Sequence, residues 1–284
     1  MTYQITDCRN LGSEELCAAM NAAFSDYEVP LRMTIEKFRD FQKQRGYSAE
    51  HSFVSVKGSE IAGFWLSSAP RPAFAGRSYA ISVGTDPHHR RQGIVRRLSE
   101  TVVEKQKSEG ATGLQLEVIT TNEKAVNAYR SFGFETQRTL RVCRVPKSGL
   151  PIPDPDNLKL QALTLEDLPD NESLYFDTQP TPQNSRAALI SLRDKIHLFG
   201  VRQNGSLAGW AASYADGSVA QIGVHKDHRR RGIGRALLNR LGTSVTSDHL
   251  TFVNVDAAAE NTNAFLDKAG AEDHLRQFEM HMRF

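Results

Sequence analysis

Cysteine is scarce: Cys8, Cys17 and Cys143 are the only three in 284 residues. With no Cys-x-x-Cys pair they support neither a disulfide framework nor a zinc cage, and they read as small reduced hydrophobes. A charge excess is missing as well. The 35 Lys and Arg against 33 Asp and Glu leave a formal net charge of +2, which disfavours nucleic acid as the main partner. Apolar runs are short, of the order of Ile61 to Leu66, far below the ~20 residues of a bilayer span, so no membrane segment is expected. The mean hydropathy of −0.44 is that of an ordinary soluble chain. The opening MTYQITDCRN lacks the apolar core of a secretory signal, so the expected compartment is the cytoplasm. Also missing are GxSxG, HExxH and Walker lysine motifs. The segment Gly232 to Leu237 lacks the third glycine of a dinucleotide fingerprint, which removes a Rossmann reading.

What the sequence does have is a phrase that occurs twice. HRRQGIVRRL, His89 to Leu98, returns as HRRRGIGRAL, His228 to Leu237, each time after a short apolar strand and before an apolar-periodic helix. Glycine permits backbone angles that a side chain forbids, so successive N–H groups can converge on one anion. The following helix aims its unsatisfied amides and positive dipole end at the same spot. The bland reading of Arg90-Arg91 or Arg229-Arg230-Arg231 is a solvated basic surface or a nucleic-acid contact. Repetition in one context favours a phosphate-holding turn. His88, His89, His225 and His228 flank these turns without metal spacing and are expected to be solvated, with no metal bound.

The organisation supports a duplication. Between Pro146 and Asn157 runs PKSGLPIPDPDN, whose four prolines prevent helix or central strand. The expected division is a domain over 1–146, a linker over 147–157 and a domain over 158–284. On the left, strands are expected at Gln4 to Asp7, Tyr79 to Thr85, Gly113 to Thr120 and Gln137 to Val145. A hairpin is expected over Ser52 to Ser67. Helices are expected at Ser13 to Ala23, Thr34 to Arg45, Gln92 to Ser108 and Asn122 to Ser131. The right half repeats the order: a strand at Leu158 to Leu163, helical segments through Asp177 and across Ser185 to Asp194, and a hairpin at Gln203-Asn204-Gly205. A strand at Ser218 to Val224, the second turn with its helix, a strand at Thr251 to Val255, a helix through Asn263 to Lys268 and a last strand to Phe284 complete it.

A strand, then V-x-P-x-x-R-x-x-G-x-G/A, a helix, another strand, and N-x-x-A-x-x-x-Y-x-x-x-G-F resembles the GNAT acyltransferase superfamily. In the first half the match runs through Thr85-Asp86-Pro87, Arg90, Gly93, Asn122, Ala125, Tyr129, Gly133 and Phe134. In the second it runs through Val224, Arg229, Gly232 and Gly234, but Ala259 stands opposite Asn122 and Leu266 opposite Tyr129. The first half departs differently, with Val95 where the family has Gly or Ala. The resemblance covers nearly the whole chain as a tandem pair. It implies an α/β fold in which each domain is a mixed, mostly antiparallel sheet flanked by helices.

The resemblance also implies an N-acetyltransferase that takes acetyl-CoA as cosubstrate, with direct attack of an acceptor amine on the thioester. The implied cofactor contacts are Val83, Thr85, Arg90, Arg91, Gln92, Gly93, Ile94, Val95 and Asn122. In the second half they are Val224, Arg229, Arg230, Arg231, Gly232, Ile233, Gly234 and Arg235. The leaving thiolate needs a proton, and a phenol near pKa ~10 suits a thiol that titrates nearby. Tyr129 stands at the family's position for this acid, although with Ala125 and Phe132 it also makes an apolar helical stripe. Glu117 faces away from Leu114, Leu116 and Val118; it is either the base for the amine or an outward surface charge. Asn254 matches it in the second half and cannot act as a base. Asn122 suits both the pantetheine arm and a helix N-cap.

Three readings stay open: a catalytic first half, a catalytic second half, and an acyl-CoA-binding module without catalysis. The acceptor is a small-molecule or peptide amine of unknown identity. Asp26 and Glu28 are candidates to attract a cationic one. The assembly is either a monomer with pseudo-dimeric halves or a homodimer.

Overall fold

The first hairpin forms because two β-rich runs meet at Lys57–Glu60, and the second because Asn204 and Gly205 both take left-handed angles, with φ of 51° and 80°, as a tight hairpin turn requires. The computed structural model describes residues 2–26, 32–150 and 158–284. Glu28 and the linker residues 151–157 lie outside the described residues. Contacts divide the chain into two units, Met1–Gln137 with Glu279–Phe284, and Arg138–Phe278.

The first unit opens with β1 (Gln4–Asp7), α1 (Ser13–Ala23), α2 (Ile35–Arg45), β2 (Phe53–Lys57), β3 (Glu60–Ser67) and β4 (Arg77–Thr85). It continues with α3 (Ile94–Ser108), β5 (Gly113–Ile119) and α4 (Glu123–Ser131). Local chemistry sets the helix ends. The Gly12 amide donates to Glu15 Oε2 at 2.8 Å at the start of α1, and Thr34 accepts from the Lys37 amide at 3.3 Å at the start of α2. Strands β1 to β4 are antiparallel neighbours, whereas β4 and β5 run parallel and pair, among the described residues, only from Arg77–Tyr79 to Gly113–Gln115. Beyond that point the two strands part. On one face of the sheet a buried cluster joins Leu16, Met20, Phe38, Phe64 and Tyr79.

The second unit holds β6 (Glu135–Pro146) from Arg138 onward, then β7 (Leu160–Ala162), α5 (Arg186–Ser191), β8 (Ile196–Gln203), β9 (Ser206–Tyr214) and β10 (Ser218–Val224). After these come α6 (Ile233–Ser244), β11 (His249–Asp256), α7 (Glu260–Lys268) and β12 (Glu272–Arg283), whose last residues belong to the first unit. The strand order is β6, β11, β10, β9, β8, β7. Again the crossover pair is parallel and brief, Ser218 with Thr251 and Val219 with Phe252. Two buried clusters cover the faces of this sheet, one around Leu237, Leu241 and Phe252, the other around Tyr175, Leu189 and Trp210.

The helical segments expected through Asp177 and across Ser185 to Asp194 are reduced to short 3-10 turns and the six-residue α5. Pro169, Pro180 and Pro182 withhold the amides that longer helices would use. The units group β6 from Arg138 onward with the second half and the end of β12, from Glu279, with the first, where the expected division was linear at 147–157. Backbone pairing is the reason. Leu140 to Pro146 are in register with β11, while the Phe284 amide donates to the Thr112 carbonyl at 3.1 Å. No described helix is long and apolar enough to cross a membrane.

The seating of the final strand is testable at Gly113, where an added Cβ would be driven into the Met282 carbonyl. Gly113→Ala is expected to cost about 1–3 kcal/mol in denaturant unfolding. A loss below about 0.5 kcal/mol, the scatter of ordinary surface changes, would mean that the strand does not lie there.

Candidate functional site

Each parallel strand pair opens toward the same kind of turn. In the first unit Arg91 and Gly93 take φ of 62° and 69°; in the second Arg230 and Gly232 take 63° and 81°. A left-handed angle at an arginine costs of order 1–3 kcal/mol and gathers at functional sites. Here the same strain recurs at the same step of two sequences. Its effect is to turn a run of amides one way, forming an anion-binding nest. The amides of Arg91 to Arg96 have no acceptor among the described residues, the first return bond being Arg97 to Gly93. Likewise those of Arg230 to Arg235 have none before Ala236 returns to Gly232. Arg91, Gln92 and Gly93 are exposed, as are Arg230, Arg231 and Gly232, so the donors face solvent with the positive ends of α3 and α6 behind them. Buried Ile94 and Ile233 anchor those helices to the sheet.

Arg90 and Arg229, expected among the cofactor contacts, are committed elsewhere. The Arg90 guanidinium forks onto Asp26, Nη1 at 2.6 Å and Nη2 at 2.7 Å, and also donates to the Ala23 and Thr85 carbonyls. Arg229 donates to Asp177 at 2.7 Å and to the Tyr175 and Val224 carbonyls. Planar forks of this type fix geometry. These two arginines therefore hold each turn to the segment between the first two strands of its sheet, and Arg91, Arg230, Arg231 and Arg235 remain as exposed cations beside the amides. Asp26, a candidate for attracting a cationic substrate, is spent on Arg90, whose hydrogen bonds hold its carboxyl below the usual range. Asp177 also accepts from the amide and hydroxyl of Thr262, both at 3.0 Å. Burial works to raise its carboxyl, but Arg229 and Thr262 outweigh that and leave it lowered.

Between the diverging strands the halves differ. Val83 and Thr85 lie on the part of β4 that has left β5, half-buried, and Thr85 Oγ1 is buried without a hydrogen-bond partner among the described residues. Tyr129 is half-buried on α4, its ring edge-on to Trp65 at 6.2 Å and to Phe134 at 5.7 Å. Glu117 is half-buried on β5 and accepts a hydrogen bond from the Tyr79 hydroxyl. Asn122 caps α4, accepting from the Ala125 amide at 3.2 Å. In the second unit Leu266 is fully buried in the core at the place of Tyr129. Asn254 sits in a β-bulge with φ of 62°, donating to Thr181 at 3.2 Å and accepting from Gln277 at 2.6 Å.

A cavity of about 620 Å³ lies at the second turn, lined by Val224, the turn from His228 to Ala236, Thr262 and Phe265. The Phe265 ring packs against Gly234, 3.3 Å from where a Cβ would stand. In the first unit the equivalent positions are Val95 and Ala128, so bulk removed from the turn in one half is returned on the neighbouring helix. Val95 itself is half-buried on the first turn of α3.

The histidines correct their expected solvation in part. His89 is buried, its Nδ1 at 3.1 Å from the Tyr3 hydroxyl and its Nε2 at 3.2 Å from Glu60. His225 accepts from the Asp227 amide at 3.3 Å. No group of three or more His, Cys, Asp or Glu among the described residues is placed to hold a metal. All three cysteines are buried and free, and burial pushes the Cys8 thiol up to about 12 and Cys143 up to about 11.

The second latch gives a pH signature. With its carboxyl lowered in the folded state, Asp177 contributes stability that is present above the unfolded value near 3.9 and is lost as pH falls through the folded one. Asp177→Asn is expected to cost about 1.5–3 kcal/mol at pH 7, with the gap to wild type closing below about pH 4. Equal losses at pH 3 and pH 7 would remove the carboxylate from the account.

A family model described as the acetyltransferase (GNAT) family matches residues 15–134 and again 160–270. A mycothiol acetyltransferase from Brachybacterium faecium is 28% identical over 123 residues, 43% of this chain and 37% of that protein, so the similarity spans just over a third of the relative's length. Among solved structures, a GCN5-related N-acetyltransferase from Sphaerobacter thermophilus superposes with a TM-score of 0.71 at 16% identity, covering 99% of this chain and 95% of that one. A tandem GNAT protein from the clavulanic acid biosynthesis pathway gives 0.69 at 15% identity, covering 99% and 98%. At such identities the structural likeness speaks for the fold. Matched once in each half by the same family model, the chain belongs to the acetyltransferase (GNAT) family as a tandem pair of its domains.

Proposed function

We propose that this chain transfers the acetyl group of acetyl-CoA to the amine of a small molecule or peptide, and that the first unit performs the chemistry. The observation that carries this reading is the strained, outward-facing row of amides from Arg91 to Arg96, combined with Tyr129 and Glu117 on the two elements that follow it. These donors suit a coenzyme's diphosphate, which asks for main-chain N–H groups and a positive helix end. Bound there, acetyl-CoA supplies the thioester.

An amide of the Val83 to Thr85 stretch, freed where β4 leaves β5, stabilises charge that grows on the carbonyl oxygen, the kind of donor that lowers such barriers most. Glu117 takes the proton of the attacking amine, directly or through water. Tyr129 gives a proton to the departing sulfur. Asn122 fixes the start of α4, so that Tyr129 is presented from a rigid helix, and it is within the family's expected reach of the pantetheine arm. The second unit keeps the donors, Arg230 to Arg235, but has Leu266 and Asn254 where the acid and base stand in the first. It serves as a second coenzyme site without chemistry of its own.

A second reading places catalysis in the C-terminal half, and the cavity at Gly232 and Gly234 favours it. Calorimetry with acetyl-CoA counts the sites. Two sites are expected, with Gly93→Val and Gly232→Val each removing one. The preference for the first unit falls if only Gly232→Val lowers turnover, and a count of zero sites removes acyl transfer altogether.

Tyr129→Phe is expected to lower kcat by about 10²–10⁴-fold, the span of general acid catalysis, with acetyl-CoA affinity unchanged. Unaltered kcat would take Tyr129 out of the mechanism. A chain that binds acetyl-CoA but releases no thiol with any amine would be a binding module.

A further inference from the structure

The first unit contains a half-buried cation, Arg71, that the proposed chemistry does not use. Arg71, on the connection between β3 and β4, passes over Gly46 just beyond α2 and donates from Nη2 to the Arg45 carbonyl at the helix end. That contact uses one of the five N–H donors of a guanidinium fork. Among the described residues no carboxylate lies within ion-pairing distance of it. Its Cζ stands 6.0 Å from the centre of the Tyr79 ring. Desolvation pulls its pKa down from the ordinary arginine value, with Tyr79 acting in the opposite direction. With one carbonyl as its hydrogen-bond acceptor among the described residues, a partly desolvated guanidinium keeps donors that a carboxylate would satisfy.

The place of Arg71 in the site follows from the ring it faces. Tyr79 is buried on β4, at the last residue that still pairs with β5, and its hydroxyl donates to Glu117. Arg45 and Arg71 both act electrostatically on Tyr79. The tyrosine thus spans the distance between the carboxylate assigned to the acceptor amine and a cation with spare donors. One end of this line suits an ammonium group and the other an anion. In the second unit the arrangement is gone: Ser218 stands at the place of Tyr79 and Asn254 at that of Glu117, the latter tied to Thr181 and Gln277. The fold forms without it, so the cluster is not a requirement of the architecture.

We infer that the acceptor is an amine that also carries a free carboxylate, an amino acid or a peptide with an open C-terminus, whose carboxylate is received by Arg71 while its amine meets Glu117. The inference rests on the first unit being the acetylating one. Tyr79 acts as a positioning residue between the two charges, and the Arg71 fork selects a planar anion over a neutral amide.

The test uses the full-length protein, acetyl-CoA, and a set of L-amino acids and dipeptides, each paired with its C-terminal amide, with thiol release as the readout. The free acids are expected to exceed their amides by about tenfold or more in kcat/KM, in line with hydrogen bonds to charged groups. Arg71→Gln is expected to raise KM for the acids by about tenfold or more, leaving KM for the amides, kcat, calorimetric acetyl-CoA affinity and thermal midpoint close to wild type. Arg71→Lys is expected to restore part of the preference. A merely structural role at the end of α2 would lower the midpoint and harm acids and amides alike, which overturns the inference. Equal use of acids and amides by the wild type overturns it too, as does acetyl-CoA binding with no acid acetylated. Loss of acetyl-CoA binding itself in the wild type would instead remove the acyltransfer reading, and this inference with it.

Discussion

A peptide N–H in a fold normally finds an acceptor within the chain, and much of this molecule is arranged around a few that are left facing solvent instead. At each turn the chain accepts a left-handed arginine, Arg91 or Arg230, so that a row of amides stays unbonded and outward. Holding such a conformation needs support from both sides. Behind the turn, Ile94 and Ile233 are sunk between helix and sheet. In front of it, a guanidinium ties the turn to an aspartate from the segment between the first two strands of the sheet. The strain and its restraints occur as a set, twice.

Duplication makes the differences informative, since a residue needed by the architecture should be present in both copies. The forks, the left-handed pair and the parted parallel strands pass that criterion. Tyr129, Glu117, Tyr79 and Arg71 do not; they belong to one copy only. Where the second unit lacks them it fills the space with hydrocarbon at Leu266 and with side-chain amides at Asn254 and Gln277. The exchange of Val95 with Ala128 for Gly234 with Phe265 is of another kind, a transfer of volume between the turn and the following helix, with Phe265 packed against Gly234 in the second unit.

The turns were legible in the sequence because they are local, a glycine and a helix start within a few residues, stated twice. The strands and hairpins of both halves were legible for the same reason, and so was the capping role of Asn122. The partners of Arg90 and Arg229 were not. A basic residue beside a phosphate turn reads as a phosphate ligand until an aspartate from a distant segment, Asp26 or Asp177, is brought up to it by the fold. His89 misled in the same way, its burial depending on Tyr3 and Glu60. The missing helices before α5 were foreshadowed by Pro169, Pro180 and Pro182, against the expectation that the right half repeats the order of the left. The grouping of β6 and the end of β12 with the opposite units left no trace in side-chain pattern, since it is a matter of which backbone each strand adjoins.

That last feature bears on how the molecule comes into being. A ribosome delivers residues in order, and the first unit includes Glu279–Phe284. Its sheet therefore stays one strand short while the entire second half is being made, with the edge of β5 open to any other extended segment. Vectorial synthesis cannot finish the domain it begins. Closure of the first unit waits on contacts between distant parts of the chain, such as Phe284 with Thr112, and contacts of that range form slowly.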